Sequence, residues 1–267
     1  VVYFRHIMAA VFLAGLLSSP GYSADPEIGG LLERVGSSVE RSWRELGTVS
    51  CTERLAQRKL KTGGKVVHRK DSTFDYLVLL KLHGTELTVE ESRVLRGAKG
   101  KTKDDALLQT SGFSTLLLVF HPHYQDSFRY RLAGEELLAS TPAVRVAFTH
   151  IPGTRSTSAL RLGEQDYPLD FRGTAWVEPN GGRILRIEAG LVKPIIGLGL
   201  QLLSSDVRYQ PVHLASTDEV YWLPSEARIE AKTTRQHWIN VHSFSDYKRY
   251  SVKSEEGTAA SSEHPAP

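Results

Sequence analysis

The chain has 267 residues, enough for one large β-rich domain, and 40% of them are hydrophobic, enough for a substantial core. Its 33 basic and 30 acidic residues leave a net charge of +3, too balanced for a nucleic-acid-binding protein and read as a slight excess of bases without a patch. The single cysteine, Cys51, excludes an internal disulfide or a cysteine-built metal cluster and is read as a small buried side chain on a strand.

Arg5 and His6 precede an apolar run over residues 7–17, and small residues follow through Gly21, Ser23 and Ala24. A basic start, a short apolar run and a small-residue exit are the parts of a secretory signal peptide. Residues 1–23 are therefore read as an export signal cleaved after Ser23 or Ala24, which predicts a periplasmic or secreted bacterial protein. The run is shorter than the ~20 residues of a membrane-spanning helix. The other reading is a retained N-terminal anchor.

Residues 26–46 are predicted to be a helix. Leu31, Leu32, Val35, Val39, Trp43 and Leu46 recur at helical spacing, Asp25 and Pro26 suit its start, and Gly47 ends it. The pattern then turns to β. Val49, Cys51, Glu53 and Leu55 alternate with polar neighbours, and Gly63-Gly64 predicts a hairpin between strands over 48–61 and 65–82. A further strand is expected over 85–95, and the lysine-rich 98–105 reads as an exposed loop. Residues 111–120 are read as a short helix lying on the sheet and ended by His121-Pro122.

The remainder alternates strongly. Val144, Val146 and Phe148 mark one strand, and Pro179-Asn180-Gly181-Gly182 joins two more over 171–178 and 183–191. In the second of these, Leu185, Ile187, Ala189 and Leu191 are expected on one face, with Arg186 and Glu188 on the other. The apolar, glycine-interrupted 190–204 is either a lid or a core-packing connection. Further strands are read over 206–213, 218–223, 236–243 and 245–252, with Ala227, Ile229 and Ala231 alternating in another. The small, polar 253–267 reads as a disordered tail. Residues 24–252 form one mainly β, mostly antiparallel domain without an internal repeat.

No motif points to catalysis. His121-Pro122-His123 has no metal-ligand spacing, and no His-Glu-x-x-His occurs. Gly112-Phe113-Ser114-Thr115-Leu116 lacks the closing glycine of a nucleophile elbow, and Ser245-Asp246-Tyr247-Lys248 falls at a strand start where the Ser-x-x-Lys enzymes need a helix. The chain is read as non-enzymatic, with no cofactor and no metal site.

Several segments, taken together and in order, carry a likeness. They are Gly173-Thr174-Ala175-Trp176-Val177, Gly182-Arg183-Ile184-Leu185-Arg186-Ile187, Val207-Arg208-Tyr209-Gln210-Pro211-Val212, Trp222-Leu223-Pro224-Ser225-Glu226-Ala227 and Phe244-Ser245-Asp246-Tyr247-Lys248. The chain resembles the outer-membrane lipoprotein-sorting (LolA-like) superfamily, over about residues 110–252 most clearly. The resemblance implies a mainly β (α+β) fold: a curved, unclosed antiparallel half-barrel whose concave face is covered by the N-terminal helix and short helices. It also implies an apolar cavity that takes lipid or acyl chains.

Two functions follow. The first is a monomeric carrier for a lipid or acylated ligand, with Phe113, Leu116, Leu117, Phe120, Leu185, Ile187, Ile195, Leu198 and Ile229 as the expected lining. Burying one methylene gains ~0.8 kcal/mol, so an apolar groove suffices without a catalytic group. The alternative is an envelope interaction or regulatory module with a filled core, binding another envelope protein through an edge strand or through exposed Tyr221, Trp222 and Trp238.

Overall fold

A computed structural model describes residues 26–83, 86–97, 116–162, 165–214, 218 and 220–249. The expected signal peptide, the 98–105 loop, Phe113 and the 253–267 tail lie outside the described residues.

Helix α1 spans Pro26–Leu46. Its stripe of Leu31, Val35, Val39, Trp43 and Leu46 is buried, while Glu33, Arg34 and Glu40 face outward, so one amphipathic face sets how the helix lies. The described strands are β1 (Val49–Leu60), β2 (Val66–His83), β3 (Glu86–Leu95), β4 (Phe128–Leu138), β5 (Thr141–His150), β6 (Ala159–Leu162), β7 (Gln165–Pro168), β8 (Phe171–Val177), β9 (Ile184–Leu191), β10 (Leu200–His213), β11 (Val220–Thr233) and β12 (His237–Arg249). A 3₁₀ turn, Leu116–Phe120, and a one-turn helix α2, Pro122–Gln125, lie in the connection from β3 to β4.

Ten strands form one antiparallel sheet in the order β3-β2-β1-β12-β11-β10-β9-β8-β5-β4, and β6 and β7 form a separate ribbon. The sheet is a curved half-barrel that does not close, with β3 and β4 as its two edges. Most neighbours follow one another in sequence, because tight turns can join antiparallel strands. Two connections are long-range. The β3–β4 connection carries the chain from one edge to the other, and β12 returns to pair with β1, the third strand in from the β3 edge.

Turn chemistry explains much of this register. Gly63 and Gly64 take φ of +88° and +81° between β1 and β2, a region open to glycine without strain. At the β8–β9 turn, Gly182 has φ +66°, and a Cβ there would stand 2.6 Å from the Arg34 carbonyl oxygen of α1. Arg34 Nε donates to the Pro179 carbonyl 3.2 Å away. The turn is therefore also a seat for the helix. Within the sheet, a Cβ on Gly173 would fall 1.9 Å from the Glu188 carbonyl and 2.6 Å from Phe148 Cζ. Gly173→Ala is expected to cost about 1–3 kcal/mol through overpacking, read as a lowered urea midpoint. An unchanged midpoint would show that β8 and β9 can part without loss.

The sequence expectation divides the last strands too finely. Segments 218–223 and 227–231 are one strand, β11, and 236–243 and 245–252 are joined through residue 249 in β12. Bulges had imitated ends. Opposite Arg208 and Tyr209 the register skips Ser225, next to Pro224, which has no N–H to donate. In β12, Asp246 has φ +53° where the pairing with β1 shifts between Ser50 and Thr52. Strand β4 gave no readable alternation, since it is a largely exposed edge whose register breaks between Leu132 and Glu135. The described part of the 111–120 helix is a 3₁₀ turn, and His121-Pro122 does not end the helical path. Instead His121 caps α2, its ring accepting from His123 N at 3.2 Å, with Pro122 at the first helical position.

Candidate functional site: the concave face and its cover

The concave face carries the main apolar cluster. It joins Val35, Val39 and Trp43 of α1 to Phe128, Val146, Phe148, Ala175, Ile187, Val207, Tyr209, Leu223, Ala227, Ile229 and Phe244 of the sheet. The 3₁₀ turn fills the gap beside α1, and all five of its residues, Leu116 to Phe120, are buried. Phe120 meets Phe148 edge-on with ring centres 5.7 Å apart, and the Tyr130 hydroxyl donates to the Val119 carbonyl. Gln125 Nε2 donates to the carbonyls of Phe120 at 2.8 Å and Leu32 at 3.0 Å, tying plug and helix together.

Of the expected lining, Leu116, Leu117, Phe120, Ile187 and Ile229 are buried in this cluster, and Ile195 packs against it. Leu198 is half-buried in a second 3₁₀ turn, Ile196–Leu198. Leu185 departs from the expectation. It is buried with Ala143 and Trp176, apart from the cluster that holds Ile187. Val177 pairs with Ile184 and Trp176 with Arg186, which leaves Leu185 as the extra residue of a bulge and turns it away from the interior. The aromatics expected on the surface are not free either. Tyr221 and Trp238 are buried, and Trp222 is half-buried with its Nε1 donating to Ile184 O at 2.7 Å.

Two donors in the apolar interior stand out. Trp43 Nε1 and the Tyr209 hydroxyl are buried within the main cluster and have no hydrogen-bond partner among the described residues. An unmet buried polar group costs about 1–3 kcal/mol, so such pairs are uncommon without a reason. Burial also pushes the Tyr209 hydroxyl well above its ordinary pKa, so it stays a neutral donor.

Further along the same face the chemistry changes by layers. On β1 and β12 the inward positions step by two residues. Phe244 is succeeded by His242, Asn240 and Trp238, and Cys51 by Glu53, Leu55, Gln57 and Lys59. Glu53 and His242 are fully buried, with His242 Nδ1 2.6 Å from Glu53 Oε1. Arg93 of β3 donates to Glu53 through Nε at 2.6 Å and Nη2 at 3.2 Å, and its Nη2 is 2.9 Å from Glu91. Burial alone would raise the Glu53 pKa, but hydrogen bonds from His242 and Arg93 outweigh it and the net shift is downward. The carboxylate is therefore ionised, and His242 Nδ1 must carry the proton that it shares. One layer on, Gln57 Nε2 donates to Asn240 Oδ1 at 3.3 Å.

Sequence reasoning did not find this cluster. Its one signal was Glu53, a charge on the apolar side of an alternating strand. The cluster has the residue types of acid–base chemistry, but its groups satisfy one another in full burial, which is how an ion pair holds strands in register. Cys51 is no nucleophile: burial pushes its thiol up to about 12. Among the described residues no three His, Cys, Asp or Glu side chains converge as a metal site would require.

Beyond the amide layer the face opens into a groove of about 1150 Å³ at the end of the sheet, lined by residues 59–64, 67–68, 201 and 232–238. None of the eight described residues of the expected lining borders it.

No protein-family model matches the chain, and no curated protein matches it in sequence. Among solved structures it is similar to a DUF1329 family protein from Desulfovibrio piger, at 13% identity and a TM-score of 0.48 over 85% of this chain and 95% of that one. It is similar also to a domain assigned to outer membrane lipoprotein sorting from Vibrio parahaemolyticus, at 11% identity and TM-score 0.46 over 84% and 94%. A LolA superfamily protein from Nitrosomonas europaea aligns at 10% identity and TM-score 0.39 over 82% and 94%. At these identities the likeness concerns the fold alone.

Proposed function

We propose that the chain is a non-catalytic binding protein of the bacterial cell envelope that carries a lipid or other hydrophobic ligand between the concave sheet face and its helical cover. The observation that carries this reading is the pair of donors, Trp43 Nε1 and the Tyr209 hydroxyl, buried in the main apolar cluster without a partner among the described residues. An amphiphile supplies what that interior lacks: chains for the apolar walls and an ester or carbonyl oxygen for the donors. The cover supports the same reading. The sheet is unclosed, and Leu116–Phe120 roofs it as an insert without strand pairing, so it can be displaced without opening a ladder.

Tyr209→Phe tests the proposal, since it removes the donor and keeps the ring. The free protein is expected to gain roughly 1 kcal/mol of stability from losing an unmet hydroxyl, while its affinity for a fluorescent fatty-acid probe falls about tenfold. A variant that loses stability and binds the probe as the parent does would rule out a ligand role for this hydroxyl.

The second reading is an interaction module with a permanently filled core. It is favoured by the complete burial of Phe120, Ile187 and Leu223, and by the edge strand β4 with its exposed Leu137. Native mass spectrometry separates the two: a carrier takes up lipid, whereas a module keeps its bare mass when lipid is offered.

A further inference from the structure

The mouth of the half-barrel assembles a charge pattern that is diluted in the sequence. The turn after β1, the turn between β11 and β12, and the connection from β9 to β10 lie along one end of adjacent strands. Leu60 pairs with His237, Lys232 with both His237 and Leu202, and Leu200 with Thr233. Thr234 N donates to Gly199 O at 3.1 Å, which holds two of these turns together.

These segments, 59–68, 193–202 and 232–238, contribute Lys59, Lys61, Lys65, Lys193, Lys232 and Arg235, and no Asp or Glu. Their formal charge of +6 exceeds the +3 of the whole chain, so the other 27 basic and 30 acidic residues sum to −3. None of the six cations makes an ion pair among the described residues; Lys59 sits 5.2 Å from the Trp238 ring centre. Several arginines elsewhere are tied to carboxylates, as Arg93 is to Glu53 and Arg186 to Asp206. The nearest carboxylate contact at the rim is Glu230, on His237 at 2.7 Å.

Apolar tips accompany the cations. Ile196 is 89% exposed at the head of its turn, and Val66 and Val67 are 45% and 43% exposed beside Lys65. Ile196 projects from its turn and borders no groove, while Val66 and Val67 open β2 at the rim, Val67 on the wall of the groove. A soluble polyanion has no use for such tips, whereas a lipid interface takes apolar tips between its headgroups and cations against its phosphates.

We infer that this end of the half-barrel docks on an anionic membrane surface, with the six cations against lipid phosphates and Ile196, Val66 and Val67 entering the headgroup layer. The docking stands on charge and exposure, whatever the interior holds. It would place the mouth of the concave face on the bilayer.

The test is co-sedimentation of the full chain with vesicles. Binding is expected to mixed phosphatidylglycerol–phosphatidylcholine vesicles and not to phosphatidylcholine alone, and to be lost in about 1 M salt, where the Debye length is ~3 Å. Lys61→Glu, Lys193→Glu and Arg235→Glu together change one exposed turn residue in each segment. They are expected to weaken binding by on the order of 100-fold while the thermal unfolding curve stays in place. Ile196→Ser is expected to weaken it several-fold. Equal binding to both vesicle types, no binding to either, or full binding by the triple variant would overturn the inference. So would full binding by Ile196→Ser, or capture by heparin without capture by vesicles, since both point to a soluble polyanion.

Discussion

Glu53→Ala is expected to remove about 3–5 kcal/mol of stability, because it strands the buried His242 imidazole and the Arg93 guanidinium without their shared acceptor. Chemical denaturation with urea reads it directly. Glu53→Gln separates charge from shape. The Glu53 carboxyl is held below its ordinary value of 4.5 in the folded chain. Its contribution is thus complete above the ordinary carboxylate range and is lost as pH falls through the lowered folded value. The parent is expected to lose stability on acidification in that window, and Glu53→Gln to lose less. Equal slopes in parent and variant would mean that the pair does not govern acid unfolding.

Phe120→Ala is expected to cost about 3–5 kcal/mol, since Phe120 is wholly buried between Phe148 and Tyr130. The same variant informs on ligand. If the 3₁₀ turn is a plug over an apolar binding space, shortening its largest side chain enlarges that space, and probe uptake rises even as the urea midpoint drops. A loss of stability with no gain in uptake would leave the turn as plain core and favour the module reading.

The helix and the hairpins were legible because their signals are local. A 3.6-residue stripe from Leu31 to Leu46 and glycines at 63, 64 and 182 act within a few residues of themselves. What escaped depends on partners far along the chain. Leu185 was placed on the wrong face because the bulge that turns it is a property of pairing with Trp176 and Val177. Trp238 was read as exposed, yet it is buried at the β11–β12 end, where it pairs with Ala231 and Lys59. The ionic layer needed Glu53 and His242 to meet across 189 positions. The basic rim was averaged away, because its six cations come from three separated segments and an excess of acids elsewhere masks them.

The pairing of β1 with β12 inside the sheet has a consequence for how the chain acquires its shape. Among the described strands the first and last made are neighbours, so synthesis in order leaves β1 with one bare ladder until residues 237–249 arrive. An edge such as β4 can fray while the rest persists; the β1–β12 seam cannot, since it splits the sheet in two. Assembly of the full sheet is therefore a late event, gated by β12, and loss of residues 237–249 is expected to leave three strands and six with no ladder between them in place of a trimmed sheet.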